Sequence, residues 1–234
     1  MSGRVVLVTG GNRGIGLAIA RAFAGIGDRV AITYREKPVE EFFGVRCDVT
    51  SAEEVDSAFK TVEEEIGPVE VLVSNAGINA DQLLLSMKEE AWLSVIDANL
   101  NGAYRVARRA TSKMIRARRG RIIFISSVVG LLGSPGQTNY AASKAGLVGL
   151  ARSLAREIGG RGVTVNIVAP GFVTTDMTAA LPDERQAEIL DQVPLKRMAS
   201  PEEVASAVVF LASEDAGYVT GAVLPVDGGL GMGH

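Results

Sequence analysis

The chain has 234 residues, of which 47% are hydrophobic, and its 27 glycines and net charge of −3 are typical of one globular domain over residues 1–234 rather than of a nucleic-acid-binding protein. One cysteine, Cys47, excludes an internal disulfide, and the one histidine, His234, is the last residue, so we expect no metal site and a catalyst built from other side chains. The absence of a long apolar run and of a signal-peptide pattern predicts a cytoplasmic protein that does not enter a membrane.

Short β-branched runs alternate with helix-length segments along the chain. Their near-continuous apolar character indicates parallel strands buried on both faces, and hence an α/β fold with a Rossmann-type, doubly wound sheet of seven strands. The segment between the second and third strands is too short for a full helix, so we expect a loop or a single turn there. The strands are predicted at residues 4–9, 29–34, 44–49, 69–75, 120–127, 162–170 and 221–227.

A glycine-rich turn, TGGNRGIG, follows the first strand and opens the first helix. Gly10, Gly14 and Gly16 let the backbone turn tightly and approach a ligand, while the N–H groups at the helix start attract a pyrophosphate. A purely structural turn is the alternative, and a phosphate-loop NTPase is excluded because no Gly-Lys-Ser/Thr follows. The strand–turn–helix context favours a dinucleotide.

The residue after the second strand indicates which dinucleotide binds. An acidic residue at this place would hold the ribose 2′-hydroxyl of NAD, whereas this chain has Arg35, which suits a 2′-phosphate. Arg13, inside the glycine-rich turn, adds a second guanidinium. We therefore predict NADPH over NADH, with the neighbouring carboxylate of Glu36 as the complication.

Polar side chains stand at the ends of predicted strands and within a long predicted helix at about 88–118. Asn75 ends the fourth strand, Ser126 and Ser127 end the fifth, and Asn99 lies in the helix. Taken singly, each is explained by a cap or a turn. Together they converge on the carboxyl edge of the sheet, where doubly wound folds bind their ligands.

The segment YAASK places a phenol, Tyr140, and an ammonium, Lys144, one helical turn apart, so that both reach one site. A packed ring beside a solvated lysine is the alternative. From Ala141 to Ile158 the helix is apolar around most of its circumference. We expect it to be buried on more than one side, with Lys144 at a buried rim or in a cleft.

Two further segments have open interpretations. The long helix ends in KMIRARRGR, whose cations either complement the helix dipole or form a docking surface. The segment TAALPDERQAEILDQVPLKRM, before Pro201, is either a mobile lid over the crevice or a pair of surface helices.

Four motifs, TGGNRGIG, SNAG, ISS and YAASK, together resemble the short-chain dehydrogenase/reductase family over essentially the whole chain. Within it, NYAASKAGLVGLARSLARE, VNIVAPGFVTTDM and GAVLPVDGGLGMGH resemble the 3-oxoacyl-[acyl carrier protein] reductases of bacterial fatty acid synthesis. This resemblance implies an oxidoreductase that uses NADPH to reduce 3-oxoacyl thioesters to 3-hydroxyacyl thioesters. The alternatives are the same chemistry on a polyketide, quinone or sugar carbonyl, and a non-catalytic NADP(H)-binding regulator, which the intact Tyr/Lys pair disfavours.

The resemblance also implies catalytic roles for Asn99, Ser127, Tyr140 and Lys144. Tyr140 would donate a proton to the carbonyl oxygen. The charge of Lys144 would lower the pKa of that phenol by at most about 3 units before screening, while its ammonium holds the nicotinamide ribose. Ser127 would bind the substrate carbonyl, with Ser126 as the alternative, and Asn99 would position a water that connects Lys144 to solvent.

Cofactor-binding positions implied by the turn and by the resemblance run along the whole crevice. Two features depart from the family pattern at the adenosine end: the shortened second crossover, and Ser74 where the family more often has Asn. The cofactor positions are Gly10, Asn12, Arg13, Gly14, Ile15, Gly16, Arg35, Asp48, Val49, Asn75, Ala76, Gly77, Tyr140, Lys144, Pro170, Gly171, Val173 and Thr175.

The expected partners are protein chains rather than nucleic acid or membrane. A thioester carried on an acidic acyl carrier protein needs a cationic landing area, which Arg118, Arg119 and Arg161 would provide. The helix that begins at Tyr140 and the long helix before it are expected to pair with their symmetry mates, giving a homotetramer built as a dimer of dimers.

Overall fold

A computed structural model of the chain describes residues 3–174 and 183–232. Its strands are β1 (Val5–Val8), β2 (Arg29–Tyr34), β3 (Phe43–Arg46), β4 (Val71–Ser74), β5 (Gly120–Ile125), β6 (Val163–Pro170) and β7 (Val223–Val226). They form one sheet in the order β3-β2-β1-β4-β5-β6-β7, and all neighbouring strands are parallel. The predicted α/β class, with a seven-stranded parallel sheet, is confirmed.

Helices cover both faces of the sheet. In residues 3–174 and 183–232, no helix combines the length and apolar character that crossing a bilayer requires. The helices are α1 (Gly14–Gly25), α2 (Ala52–Glu65), α3 (Glu89–Ile96), α4 (Gly102–Ala117), α5 (Val129–Leu132), α6 (Thr138–Ile158), α7 (Asp183–Gln192) and α8 (Pro201–Ala212).

The central strands are mostly apolar because each faces a separate core on either side of the sheet. In β5, Ile122 and Phe124 join the core under α2, α4 and α6, whereas Ile123 and Ile125 join the core under α1 and α8. Alternate residues of a strand point to opposite faces, so a strand covered on both sides is apolar at most positions. Asn166 of β6 is a buried exception, and its carboxamide is paired with the backbone of Val219 and Ala222.

The second crossover contains no helix, as predicted, since only residues 35–42 separate β2 from β3. The third strand was expected to reach residue 49 but ends at Arg46. Its continuation is a turn in which the Asp48 carboxylate accepts hydrogen bonds from the N–H of Thr50 at 2.9 Å and from its hydroxyl at 2.7 Å. A side chain that caps its own turn competes with strand pairing.

The predicted helix at 88–118 is interrupted in its middle. A π-helical turn, Asp97–Asn101, joins α3 to α4, and the helix stops at Arg118, whose φ of +52° is left-handed. One extra residue per turn rotates the side chains that follow, and such turns are frequent at functional sites. The π turn carries the candidate residue Asn99.

Helix α6 is buried along one stripe only, so the prediction that it is buried on several sides is wrong for the single chain. Ala142, Ala145 and Gly149 on its other face are exposed. Of the segment proposed as a lid or a helix pair, residues 178–182 lie outside the described residues and 183–192 form α7.

Candidate active site

The crevice of this sheet lies at the carboxyl ends of its strands. Strand order reverses between β1 and β4, because the chain after β1 continues outward to β2 while β4 pairs on the other side of β1. Ligands of doubly wound sheets bind at such a switch point. The predicted site residues that follow β1, β4, β5 and β6 therefore share one edge.

The glycine-rich turn after β1 is shaped for close approach. Gly10 has a φ of +63° and Gly14 a φ of +51°, a backbone region that favours glycine. A Cβ on Gly16 would overlap the carbonyl oxygen of Gly10 and would lie 2.6 Å from Nδ2 of Asn75. Arg13 occupies the N-cap position of α1 without a side-chain hydrogen bond to the first turn. This cradle fits a pyrophosphate, which helix N–H groups bind.

Asn75 holds the glycine-rich turn against the end of β4. Its Nδ2 donates to the carbonyl oxygens of Thr9 and Gly10, both at 3.0 Å. The Thr9 hydroxyl oxygen in turn accepts from the backbone N–H groups of Asn75 at 3.0 Å and of Ala76 at 3.1 Å. The Nδ2 of Asn75 is thus committed to bracing the turn.

Charged groups of both signs meet at the predicted adenosine end. Arg35 is exposed, and its Nη2 lies 3.0 Å from a carboxylate oxygen of Glu36. The N–H of Thr50 holds the pKa of Asp48 below its usual value, helped by the nearby guanidiniums of Arg35 and Arg46. Arg35 therefore faces two carboxylates in the single chain.

Three other predicted cofactor positions differ in their exposure. Nδ2 of Asn12 donates to the carbonyl oxygen of Lys37 at 3.1 Å, which ties the turn to the loop after β2. Ile15 is half-buried in the first turn of α1. Val49 is 7% exposed, and its side chain fills the space beside Gly102 of α4.

The π turn places Asn99 at the centre of the crevice. Its Oδ1 accepts from the N–H of Ile78 at 2.8 Å, and its Nδ2 donates to the carbonyl oxygen of Ile78 at 2.9 Å and to the hydroxyl of Ser143 at 3.0 Å. A Cβ on Gly77 would lie 2.9 Å from Oδ1 of Asn99 and 3.6 Å from Nζ of Lys144. The contact with Asn99 is too short for a side chain at position 77, so glycine lets the chain after β4 pass this close to the carboxamide.

The two serines after β5 have different partners. Ser126 is 4% exposed, and its hydroxyl donates to the carbonyl oxygen of Lys144 at 2.9 Å. Ser127 lies beside Tyr140, where its hydroxyl acts to lower the pKa of the phenol, and it accepts from the N–H of Val129 at 3.2 Å. The second serine is therefore the one beside the phenol.

Tyr140 and Lys144 lie one turn apart on α6, as the spacing predicted. Lys144 is 5% exposed, and its Nζ donates to the carbonyl oxygen of Ile125 at 2.8 Å. The same Nζ lies 5.6 Å from the centre of the Tyr140 ring. The end of β5 thus fixes the ammonium beside the aromatic ring.

The protonation of this pair differs from the expectation. Burial lowers the pKa of Lys144 to about 8. Burial also raises the pKa of Tyr140, and the hydrogen bond from Ser127 only partly opposes this. In the chain alone, desolvation therefore outweighs the expected lowering of the phenol pKa by Lys144, because burial disfavours the charged form of each group. Tyr140 is a protonated phenol at neutral pH.

The end of β6 completes the edge. Pro170 is buried, and a Cβ on Gly171 would lie 2.8 Å from the Cα of Asp227. Val173 is 4% exposed. The last predicted cofactor residue, Thr175, lies outside the described residues.

Three polar residues of this edge were missed by the sequence reasoning. Thr9 braces the glycine-rich turn, as described above, and Ser143 lies between Asn99 and α6. Asn139 is 0% exposed; its Nδ2 donates to the carbonyl oxygen of Ala80 at 3.0 Å and its Oδ1 accepts from the N–H of Tyr140 at 2.8 Å. Their positions in the sequence could have revealed them, because each lies inside or directly beside one of the motifs described above.

Known proteins match this chain over nearly its full length. A family model described as Enoyl-(Acyl carrier protein) reductase matches residues 10–231. The 3-oxoacyl-[acyl-carrier-protein] reductase MabA of Mycobacterium tuberculosis is 58% identical over 232 residues, which is 99% of this chain and 94% of that protein. The 3-oxoacyl-[acyl-carrier-protein] reductase FabG of Escherichia coli is 46% identical over 239 residues, 98% of either chain. Matches of this extent, on a chain whose glycine-rich turn and Tyr140–Lys144 pair share one crevice, show that it belongs to the short-chain dehydrogenase/reductase family.

Proposed function

We propose that the protein is a cytoplasmic, NADPH-dependent reductase of 3-oxoacyl-[acyl carrier protein] thioesters in fatty acid biosynthesis. The observation that carries this proposal is the meeting of Ser127, Tyr140 and Lys144: the Ser127 hydroxyl lies beside the phenol and acts to lower its pKa, and Nζ of Lys144 lies 5.6 Å from the ring centre. The activity in the names of the MabA and FabG relatives supports the substrate class.

The residues of the crevice fit a nicotinamide dinucleotide. The turn from Gly10 to Gly16 has no room for a Cβ at Gly11 or Gly16 and would hold the pyrophosphate. Arg13 and Arg35 would hold the 2′-phosphate of NADPH, and Lys144 the nicotinamide ribose. When bound, the coenzyme supplies the hydride that reduces the carbonyl carbon.

The side chains provide the proton and the charge stabilisation. The Ser127 hydroxyl orients the substrate carbonyl towards Tyr140, whose raised pKa keeps its proton available at neutral pH. After the proton moves to the carbonyl oxygen, the ammonium of Lys144 stabilises the phenolate left on Tyr140. With a pKa of about 8, Lys144 carries that charge at pH 7. A water would return a proton from solvent, and Asn99, whose carboxamide is already paired with Ile78 and Ser143, would position it through the surrounding backbone.

The decisive variant is Tyr140→Phe, which removes the transferred proton and keeps the ring. We expect turnover of an acetoacetyl thioester to fall by at least about 100-fold, the usual contribution of acid–base catalysis. Binding of NADPH, measured by the fluorescence of its nicotinamide, should be retained. Near-normal turnover in this variant would refute the mechanism.

A second candidate is reduction of an enoyl thioester, because the description of the matching family names that activity. The pairing of two hydroxyls, Ser127 and Tyr140, around one point favours a carbonyl oxygen as the target. Assays with acetoacetyl and crotonyl thioesters and an unrelated ketone separate the possibilities. Preference for the crotonyl thioester would favour enoyl reduction, and preference for the ketone a different carbonyl substrate.

We further propose that the carrier docks at the amino-terminal edge of the sheet. Nη2 of Arg118 donates to the carbonyl oxygen of Gly160 at 3.4 Å, so Arg118 and the exposed Arg161 share one surface. Arg119 is partly neutralised, because its guanidinium lies 3.1 Å from a carboxylate oxygen of Glu214. Arg118 and Arg161 are therefore the stronger candidates for an acidic partner.

The proposed homotetramer is supported by the unpartnered face of α6. Ala142, Ala145 and Gly149 would let a second helix approach closely, and Leu93 of α3 and Tyr104 of α4, two helices that contact α6, are 55% and 50% exposed. Sedimentation gives the test, and a monomeric mass would contradict the proposal.

A further inference from the structure

Ser143, the fourth residue of the YAASK segment, connects two candidate catalytic residues. It is 0% exposed, and its hydroxyl donates to the carbonyl oxygen of Tyr140 at 2.7 Å. The same oxygen accepts from Nδ2 of Asn99 at 3.0 Å. A hydroxyl donates one proton and accepts others, so one side chain satisfies both neighbours.

The Asn99 carboxamide depends on this contact. Its Oδ1 and one N–H are paired with the backbone of Ile78, so its remaining N–H is the one that reaches Ser143. Asn99 is 1% exposed, and water would have little access to that N–H if the hydroxyl were removed. A buried donor left without a partner is costly, so the carboxamide would shift to find another.

Movement of Asn99 would reach the site through the loop after β4. Ile78 is bonded to Asn99 through both its N–H and its carbonyl oxygen, and the adjacent Gly77 passes close to Lys144. The chain of contacts therefore runs from the backbone of Tyr140 through Ser143 and Asn99 to the loop that borders the ammonium.

We propose that Ser143 is a positioning residue of the reduction: it locks the Asn99 carboxamide, and with it the Gly77–Ile78 loop, to the turn of α6 that carries Tyr140. The inference rests on the proposed function for its kinetic consequence, but not for its structural one. The competing interpretation is an ordinary intrahelical bond from a serine to the carbonyl three residues before it, with no role in the site.

Amide hydrogen exchange tests the structural part without any substrate. In Ser143→Ala, the Ile78 N–H should exchange faster by on the order of 10-fold, because its acceptor on Asn99 is no longer fixed. The N–H of Ala76 is the internal control, since the Thr9 hydroxyl holds it independently. Unchanged exchange at Ile78, or an equal increase at both amides, would overturn the proposal.

Kinetics test the functional part. Ser143→Ala should lower kcat on an acetoacetyl thioester about 10-fold, with KM and the Kd for NADPH nearly unchanged, because the binding groups stay in place. Ser143→Thr, which keeps the hydroxyl, should recover much of the loss. Ser153→Ala, an exposed serine on the same helix, is the matched control and should behave like the parent protein.

A double-mutant cycle with Asn99→Ala separates action through Asn99 from a general effect on α6. Because Ser143 acts through Asn99, the double variant should be no slower than Asn99→Ala alone. Losses that multiply, or a kcat of Ser143→Ala equal to that of the parent, would refute the positioning role. If the parent protein reduces no 3-oxoacyl thioester, the proposed function fails while the exchange result at Ile78 still decides the structural claim.

Discussion

At the scale of the residue, the buried ammonium of Lys144 works against folding. Its pKa is about 8, below the usual value of 10.5, because burial disfavours the charge. A difference of that size corresponds to about 3 kcal/mol of lost stability at neutral pH. Its hydrogen bond to the Ile125 carbonyl offsets a part of this cost. The charge proposed for catalysis therefore lowers the stability of the folded protein.

Lys144→Met should therefore be more stable than the parent and inactive. At pH 7 both states of the parent bind the lysine proton, the burial cost is complete, and removing it should raise the free energy of unfolding by about 2 kcal/mol. Between pH 8 and 10.5 the unfolded state of the parent binds more protons than the folded state, so the parent gains stability as pH rises and the difference closes. Urea unfolding at pH 7 and pH 10 measures this. A variant less stable at pH 7, or a difference independent of pH, would contradict it.

Coenzyme choice also belongs to single residues. Arg35→Asp should weaken NADPH binding by about 10- to 100-fold and leave NADH binding equal or improved, because a charge-assisted contact to the 2′-phosphate becomes a repulsion. Titration of both coenzymes by fluorescence gives the two affinities. Arg46→Asp, a similarly exposed arginine at the end of the neighbouring β3, serves as the control. If the ratio of the NADPH and NADH affinities were unchanged in Arg35→Asp, the assignment of Arg35 to the 2′-phosphate would be wrong.

At the scale of the element, α1 contains a matched pair of glycines. A Cβ on Gly16 would meet Asn75 Nδ2 at 2.6 Å, whereas a Cβ on Gly25, at the other end of the helix, would meet nothing within 4 Å. Gly16→Ala should abolish coenzyme binding and destabilise the fold, because the turn has to open. Gly25→Ala should be neutral or more stable by up to about 1 kcal/mol. Thermal unfolding with and without NADPH compares them, and equal behaviour would show that the turn is not the cradle.

Strands and helices could be predicted where their burial produces a recognisable pattern of apolar residues in the sequence. The central strands were found because both of their faces enter a core. The short second crossover was found because residues 35–42 are too few for a helix together with the turns that connect it to two parallel strands. The end of β3 could not be predicted, because it depends on hydrogen bonds between Asp48 and Thr50, which the pattern of apolar residues does not show. The π turn around Asn99 was also missed, because its sequence reads as an ordinary helix and the extra residue is stabilised by contacts with Ile78 and Ser143.

The candidate site was likewise only partly predictable from the sequence. Tyr140, Lys144 and Ser127 were located by spacing and by resemblance, and the structure brings them together. The protonation of Tyr140 and Lys144 was not predictable from spacing, because it depends on how deeply both groups are buried. The bracing role of Asn75 depends equally on tertiary contacts, since its partners Thr9 and Gly10 come from another strand.

At the scale of the whole molecule, charge at the amino-terminal edge should control only carrier-bound substrates. Reversing Arg118 and Arg161 to glutamate should raise KM for an acyl carrier protein thioester by about 10-fold or more, since both charges would then repel an acidic partner. Turnover of a small acetoacetyl thioester should stay unchanged. Lys60→Glu, on the exposed side of α2, changes the net charge as much as either single reversal and is the control for each. Equal losses on both substrates would count against docking there.

The length of α6 bears on how such a carrier would deliver its cargo. The helix has 21 residues, with Tyr140 in its first turn and Arg161 just beyond its last, so roughly 30 Å separate the chemistry from the landing area. A neighbouring copy whose α6 ran in the opposite direction would set its own landing area beside this tyrosine. The carrier would then dock on one subunit and deliver its substrate to the active site of another. Dilution that dissociates the assembly would reduce the turnover of carrier-bound substrates but not that of small, freely diffusing ones.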